Sequence, residues 1–266
     1  MEKERNLLEN PERIFDLSPD VLKSTTPLLF VPGWSNSAAT SREGLKDLAS
    51  HGRRVLSLVP TPGEQSEKAK DLLELLKTKG VEKTDALAYS EGAINLSLAA
   101  LAEPDRFRNI VLIDPAGTAE HGSMWEMASR FAQELSSEMK TTLSTGAHKK
   151  EAHHTVADVL GRIGRHPVTT VRELREIAET DIFPILGQLH ESGIGISIIT
   201  GVDDKIFEMQ EFQDKKELGK YIDGFYSVAG GHAEIIKHPD QYMSLADQAL
   251  DALEARSKNK SSSKED

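Results

Sequence analysis

Apolar residues in this chain fall into short uninterrupted runs, separated by longer stretches in which they recur every three or four positions. The runs are Leu28 to Val31, Val55 to Val59, Ala86 to Tyr89, Ile110 to Ile113, Ile194 to Thr200 and Phe225 to Ala229. A short apolar run bounded by turn residues fits a strand buried on both faces, and Pro32-Gly33 closes the first of them. Between the runs, Glu67 to Lys79 places Leu72, Leu73, Leu75 and Leu76 on one helical stripe. Gly92 to Ala102 is rich in alanine and leucine, and Thr180 to Glu191 and Gln241 to Leu253 complete the helical set. Strands alternating with helices predict an α/β protein with a doubly wound, mostly parallel sheet of about six strands.

The same pattern divides the chain. Residues 1–26 are polar, carry Pro11 and Pro19, and read as an irregular or short-helical lead-in. The α/β core spans residues 27–118 and 181–255. Residues 119–180 interrupt the alternation with helical patterns over Glu120 to Lys140 and Val156 to Ala178, and with no strand. An insert that leaves the sheet where a strand ends lies over that edge, so this segment reads as a helical lid. Gly161-Arg162-Ile163-Gly164 reads as the break between two lid helices, and the charges of Glu67 to Lys83 as an ordinary helix surface. Residues 256–266 form a low-complexity tail that has nothing to bury and is expected to be disordered.

Composition narrows the partners. The 266 residues carry a formal charge of -11, which repels phosphate backbones and argues against nucleic acid. No apolar run approaches the roughly 20 residues a membrane span needs. No apolar stretch follows Met1-Glu2-Lys3-Glu4-Arg5, so a secretory leader is not expected. The chain has no cysteine, which removes disulfides, thiolate nucleophiles and cysteine-held metals and fits a cytoplasmic location. A homo-oligomer is compatible with this composition.

Candidate chemistry begins at Ala88-Tyr89-Ser90-Glu91-Gly92, which follows an apolar strand and opens an apolar helix. A serine on so sharp a turn needs small residues two places before and after it, and Ala88 and Gly92 meet that need. The turn also puts Ser90 at a helix N-terminus, where free N–H groups favour negative charge. The plainer alternative is a serine capping a buried helix. The pentapeptide resembles the G-x-S-x-G nucleophile elbow of the α/β-hydrolase family, with Ala88 in place of the first glycine.

That resemblance implies a Ser-Asp-His order along the chain. Val228-Ala229-Gly230-Gly231-His232 is similar to the family's glycine-histidine loop, making His232 the base. Gly201-Val202-Asp203-Asp204 follows a strand, and the family's Gly-x-x-Asp arrangement falls on Asp204, with Asp203 and Asp114 as alternatives. Taken singly, each aspartate also reads as a turn former and the histidine as a surface residue. Yet Ser90, Asp204 and His232 all stand at C-terminal ends of predicted strands, the edge where ligands collect in open α/β sheets. The resemblance further implies an oxyanion hole from the backbone N–H groups of Trp34 and Glu91, with Pro32 where the family usually has histidine.

The implied activity is cofactor-free hydrolysis of a small-molecule carboxylic ester or related acyl compound. Carbon–carbon bond hydrolases, thioesterases, lactonases and perhydrolases share such a triad, and a receptor-like ligand-binding module shares the fold. Trp125, Met124, Met127, Phe131 and Ile163 of the lid either line the acyl site or pack the lid onto the core. His148, Glu151, His153 and His154 lack the spacing of helical metal ligands, so no metal is expected.

Overall fold

A computed structural model describes residues 11–118, 123–145, 149–213 and 218–262. Its strands are β1 (Ile14–Leu17), β2 (Leu28–Val31), β3 (Val55–Leu58), β4 (Thr84–Tyr89), β5 (Phe107–Ile113), β6 (Gly195–Gly201) and β7 (Gly224–Val228). They form one sheet in the order β1-β3-β2-β4-β5-β6-β7, parallel throughout except for the antiparallel edge pair β1–β3. The helices are α1 (Ala38–Ser50), α2 (Gln65–Thr78), α3 (Gly92–Ala102), α4 (Met124–Thr145), α5 (Lys149–Arg165), α6 (Pro167–Glu179) and α7 (Phe183–Glu191). After them come the short α8 (Met209–Gln213), α9 (Leu218–Tyr221) and α10 (Glu234–Lys237), then the long α11 (Pro239–Ser262).

The strands read as continuous apolar runs because both faces of the sheet are covered. Leu28, Phe30, Leu87, Val111 and Ile113 point to one face, against Leu45 and Leu48 of α1 and Tyr242 and Leu250 of α11. Their neighbours Leu29, Val31, Ala86, Ala88 and Leu112 point to the other, against Leu72 and Leu76 of α2, Ile94 of α3 and Leu186 of α7. At the N-terminal edge of the strands, fully buried Arg53 bonds Asp85, Asp247, Asp251 and Glu254, tying β3 and β4 to α11. The charge of a buried guanidinium is tolerable only when surrounded in this way.

Four features depart from the sequence reading. The lead-in contains β1, whose Ile14 to Leu17 pair with Leu58 to Val55 of β3, and Asp16 takes a two-pronged bond from Arg54 at 2.9 Å on each arm. Four residues carry too little periodicity to announce a strand, and β3 supplies what holds it. Helix α1 had no predicted counterpart, because among the described residues Leu45, Leu48 and Ala49 are its only buried apolar side chains. Helix α5 runs through Gly161 to Gly164, and the break falls at His166, where Pro167 starts α6. A glycine costs a helix only about 1 kcal/mol, whereas proline fits its first turn and stops the one before it. Helix α11 continues to Ser262 through residues expected to be disordered; 255 to 259 are exposed, and Arg256 donates to the Asp223 carbonyl.

Helices α4, α5 and α6 leave the sheet after β5, contact one another, and return through α7 to β6. Among the described residues, no helix is long and apolar enough to cross a membrane.

Backbone approaches backbone very closely where α3 starts against the end of β2. A Cβ at Gly92 would stand 2.4 Å from the Val31 carbonyl oxygen and 2.7 Å from that of Pro32. Both contacts are with backbone, which cannot swing aside as a side chain can. Gly92→Ala is therefore expected to cost about 1–3 kcal/mol, read as a lower urea midpoint at unchanged slope.

Candidate active site

The C-terminal ends of β4, β5 and β6 and the loop after β7 meet above the sheet. Ser90 follows β4 directly and has φ 54°, a left-handed conformation that a non-glycine residue adopts only under constraint. The constraint is visible: its N–H donates to the Ile113 carbonyl at 3.0 Å, and its own carbonyl accepts from Ala93 and Ala116. Gly33, in the loop after β2, presses on the same turn. A Cβ there would lie 2.9 Å from the Tyr89 ring and 3.0 Å from the Ser90 Cβ. Small residues at 33 and 92 thus let the two loops close on the serine.

His232 Nε2 lies 2.9 Å from Ser90 Oγ, and its Nδ1 lies 2.7 Å from Asp204 Oδ2. The other Asp204 oxygen accepts from the backbone N–H groups of Ile206 and Phe207 at 2.8 and 3.1 Å, which fixes the carboxylate plane. The Tyr89 hydroxyl donates to the His232 carbonyl at 2.7 Å, and the Phe207, Phe131 and Tyr89 rings enclose the imidazole at 5.3, 6.4 and 5.1 Å between centroids. Gly230, at φ 122°, lets the histidine loop return over Gly201, where a Cβ would strike the Gly230 carbonyl oxygen at 2.6 Å.

Of the three candidate aspartates, Asp204 bonds the histidine. Asp203 is exposed. Asp114 follows β5 at φ 41° and accepts from the Gly201 N–H at 2.6 Å, joining the ends of β5 and β6. Burial pushes the Asp114 carboxyl up, the nearby Asp204 charge pushes it further, and His232 only partly opposes them, so it rises to about 7. At His232 burial opposes the charged form, but Asp204, aided by Asp114 and by Glu134 of α4, outweighs it and raises the imidazole above its ordinary value. Asp114, Asp204 and His232 also form a cluster of metal-ligand types. The facing Asp204 and His232 atoms already bond each other at 2.7 Å, however, whereas a zinc ion would stand about 2.0–2.2 Å from each and hold them farther apart.

Trp34 and Glu91, the residues expected to offer oxyanion N–H groups, flank the serine on the two loops that Gly33 and Gly92 bring together. From α4, Met127 is buried against the core, and Phe131 meets the Trp34 ring edge-on at 5.9 Å. Trp125 and Ile163, grouped with them in the sequence reading, instead face outward at 77% and 42% exposure. The His148–His154 cluster lies outside the residues whose side chains are described. Sequence reading missed Lys68 and Asp71, taken as surface charges on α2 but buried. Position 68 falls beside the leucine stripe, and a charge at that phase was the available signal. Also missed were Glu134 of α4, Glu173 of α6 and Arg162 of α5, which no local pattern links to the serine.

No family model matches the sequence. A protein of Mycobacterium phage D29 named "Putative non-heme haloperoxidase" is 24% identical over 257 residues, covering 89% of this chain and 91% of that one. Among solved structures, a carboxylesterase of the thaumarchaeon Nitrososphaera gargenis superposes with a TM-score of 0.67 at 15% identity, covering 91% of this chain and 95% of its own. The meta-cleavage product hydrolase of Pseudomonas fluorescens IP01 gives 0.63 at 16%, over 90% and 93%. With its seven-stranded, mostly parallel sheet covered on both faces, the protein has the fold of the α/β-hydrolase superfamily.

The charge balance around the imidazole makes a direct prediction. In ring-resolved NMR titration, His232 is expected to lose its proton above the ordinary value of 6.5. Asp114→Asn removes one of the acids that raise it, so the midpoint should move down.

Proposed function

We propose that the protein is a serine hydrolase acting on a carboxylic ester or related acyl compound, with Ser90 as nucleophile, His232 as base and Asp204 as the orienting acid. The observation that carries this reading is the continuous bonded line from Ser90 Oγ through both ring nitrogens of His232 to Asp204 Oδ2, with the serine held at a left-handed turn. His232 takes the Oγ proton as the oxygen attacks the acyl carbon. The Trp34 and Glu91 N–H groups bear the charge that develops on the carbonyl oxygen. His232 then gives its proton to the leaving alcohol, and in the second half takes one from water as it cleaves the acyl-enzyme. Asp204 holds the ring in the tautomer that presents Nε2 to the serine and stabilises the imidazolium.

Helices α4 to α6 are the lid. Ser90 and His232 are only 3% and 5% exposed, so substrate reaches them when this segment moves. The aromatic walls contributed by Trp34, Phe131 and Phe207 suit an apolar acyl group. The name of the phage relative favours a second reading at the same serine, in which hydrogen peroxide replaces water in the deacylation and a peracid leaves.

A fluorophosphonate probe and p-nitrophenyl acetate test the proposal. Wild-type protein is expected to take up one phosphonyl group by intact mass and to turn over the ester. Ser90→Ala should lose the label and drop kcat by about 10⁴-fold or more. A folded wild-type chain that neither labels nor turns over would point to a ligand-binding module. Peracid formed from an acyl ester and peroxide, at a rate rivalling hydrolysis, would favour the second reading.

A further inference from the structure

Behind the serine lies a second polar system that the proposed reaction does not use. Glu91, the residue after Ser90, is fully buried, and its Oε1 accepts from Lys68 Nζ at 2.6 Å and from Gln65 Nε2 at 2.7 Å. Lys68 Nζ reaches on to Glu173 Oε1 at 2.9 Å, and both side chains are 1% exposed. Glu173 in turn takes both arms of the Arg162 guanidinium, at 2.6 and 3.0 Å, and the backbone N–H of Gly63 at 2.9 Å. Its Oε2 also accepts the indole N–H of Trp34 at 3.0 Å, and the Arg162 guanidinium lies over that indole at 5.6 Å. Two carboxylates face two cations, so the group is neutral as a whole.

The membership matters more than the count. Glu91 and Trp34 are the residues proposed to supply the oxyanion N–H groups, and the side chains of both are bonded into this one network. Glu173 and Arg162 belong to lid helices α6 and α5, and Lys68 to α2. Burial raises the cost of the Glu173 charge, but Arg162 and Lys68 overcome it and hold the carboxyl at about 2, so it stays ionised at any ordinary pH. Buried charges that are fully paired tolerate few arrangements, which gives such a network rigidity.

We infer that Lys68 and Glu173 are positioning residues that set the Trp34 and Glu91 backbone for oxyanion binding, and that Arg162 makes this setting conditional on the lid being seated. The inference rests on the proposed serine-hydrolase reading. When α5 and α6 lift, Trp34 loses its Glu173 anchor and the hole relaxes. When they close over a substrate, the same bonds restore it. The donors are thereby in place only when the site is covered.

The test compares wild type, Glu173→Gln and Trp34→Phe, as full-length protein, for kcat and KM on p-nitrophenyl acetate, fluorophosphonate labelling rate and thermal midpoint. Glu173→Gln should lower kcat and labelling rate together by about 30- to 100-fold, with KM changed by about threefold or less, because the lost interaction serves the transition state. Trp34→Phe keeps an aromatic body and removes one N–H, so it remains informative if the glutamine variant does not fold. Its kcat should fall by about threefold or more at a near-native thermal midpoint. A lowered midpoint with wild-type kcat and labelling in either folded variant would overturn the inference and leave a stabilising role alone. Wild-type protein that shows no Ser90-dependent labelling would overturn the hydrolase reading, and this inference with it.

Discussion

A serine at φ 54° is held against its own backbone preference by something on the order of 1–3 kcal/mol, and the surrounding chain has to hold it there. It does so with parts taken from two neighbouring strands. The end of β5 accepts the Ser90 N–H through Ile113, the turn after β5 donates to the serine carbonyl through Ala116, and the end of β2 lies hard against Gly92. These contacts set the relative heights of β2, β4 and β5 and the direction in which α3 departs. Once the turn is closed, Ser90 Oγ stands clear of the sheet edge, where the loops after β6 and β7 meet it.

The two polar systems around that turn differ in a way that follows from what each could do. Ser90, His232 and Asp204 lie among further acids, Asp114 and Glu134, and this surplus of negative charge raises the imidazole. Such a setting suits a group that gains and loses a proton while it works. Lys68, Glu91, Arg162 and Glu173 balance one another in a largely buried part of the protein. A neutral set whose charges are paired does not change charge readily, which suits a fixed support. One system can move protons and the other keeps its shape. They meet at the bond between Ser90 and Glu91.

Much of this was legible along the chain, because a doubly covered parallel sheet imposes continuous apolar runs on its strands. All six predicted strands appear in the sheet, and the fold class followed from their alternation with helices. The likeness to enzymes of the same fold at 15–16% identity reflects the same fact: the architecture demands a pattern of burial, and many sequences satisfy it. Where the pattern was thin it misled. Strand β1 is four residues long, α1 has a sparse stripe, and the glycines of α5 looked like a break although Pro167 made the real one.

By itself the sequence determined the six strands β2 to β7, that Ser90 sits on a tight strand-to-helix turn, and that Asp204 and His232 follow later strands in the order an elbow serine would need. These depend on local backbone geometry and on the period of burial, which neighbouring residues carry. Which of Asp114, Asp203 and Asp204 touches the histidine was decided by the tertiary structure, since it depends on the register of β5, β6 and β7 to within a few tenths of an ångström. So was the pairing of Lys68 with Glu91 and of Glu173 with Arg162 and Trp34, which joins positions up to 139 residues apart. A charge on a helix declares itself in sequence only as a charge. Whether it meets water or an opposite charge is decided by what packs on top of it, and here that is α6.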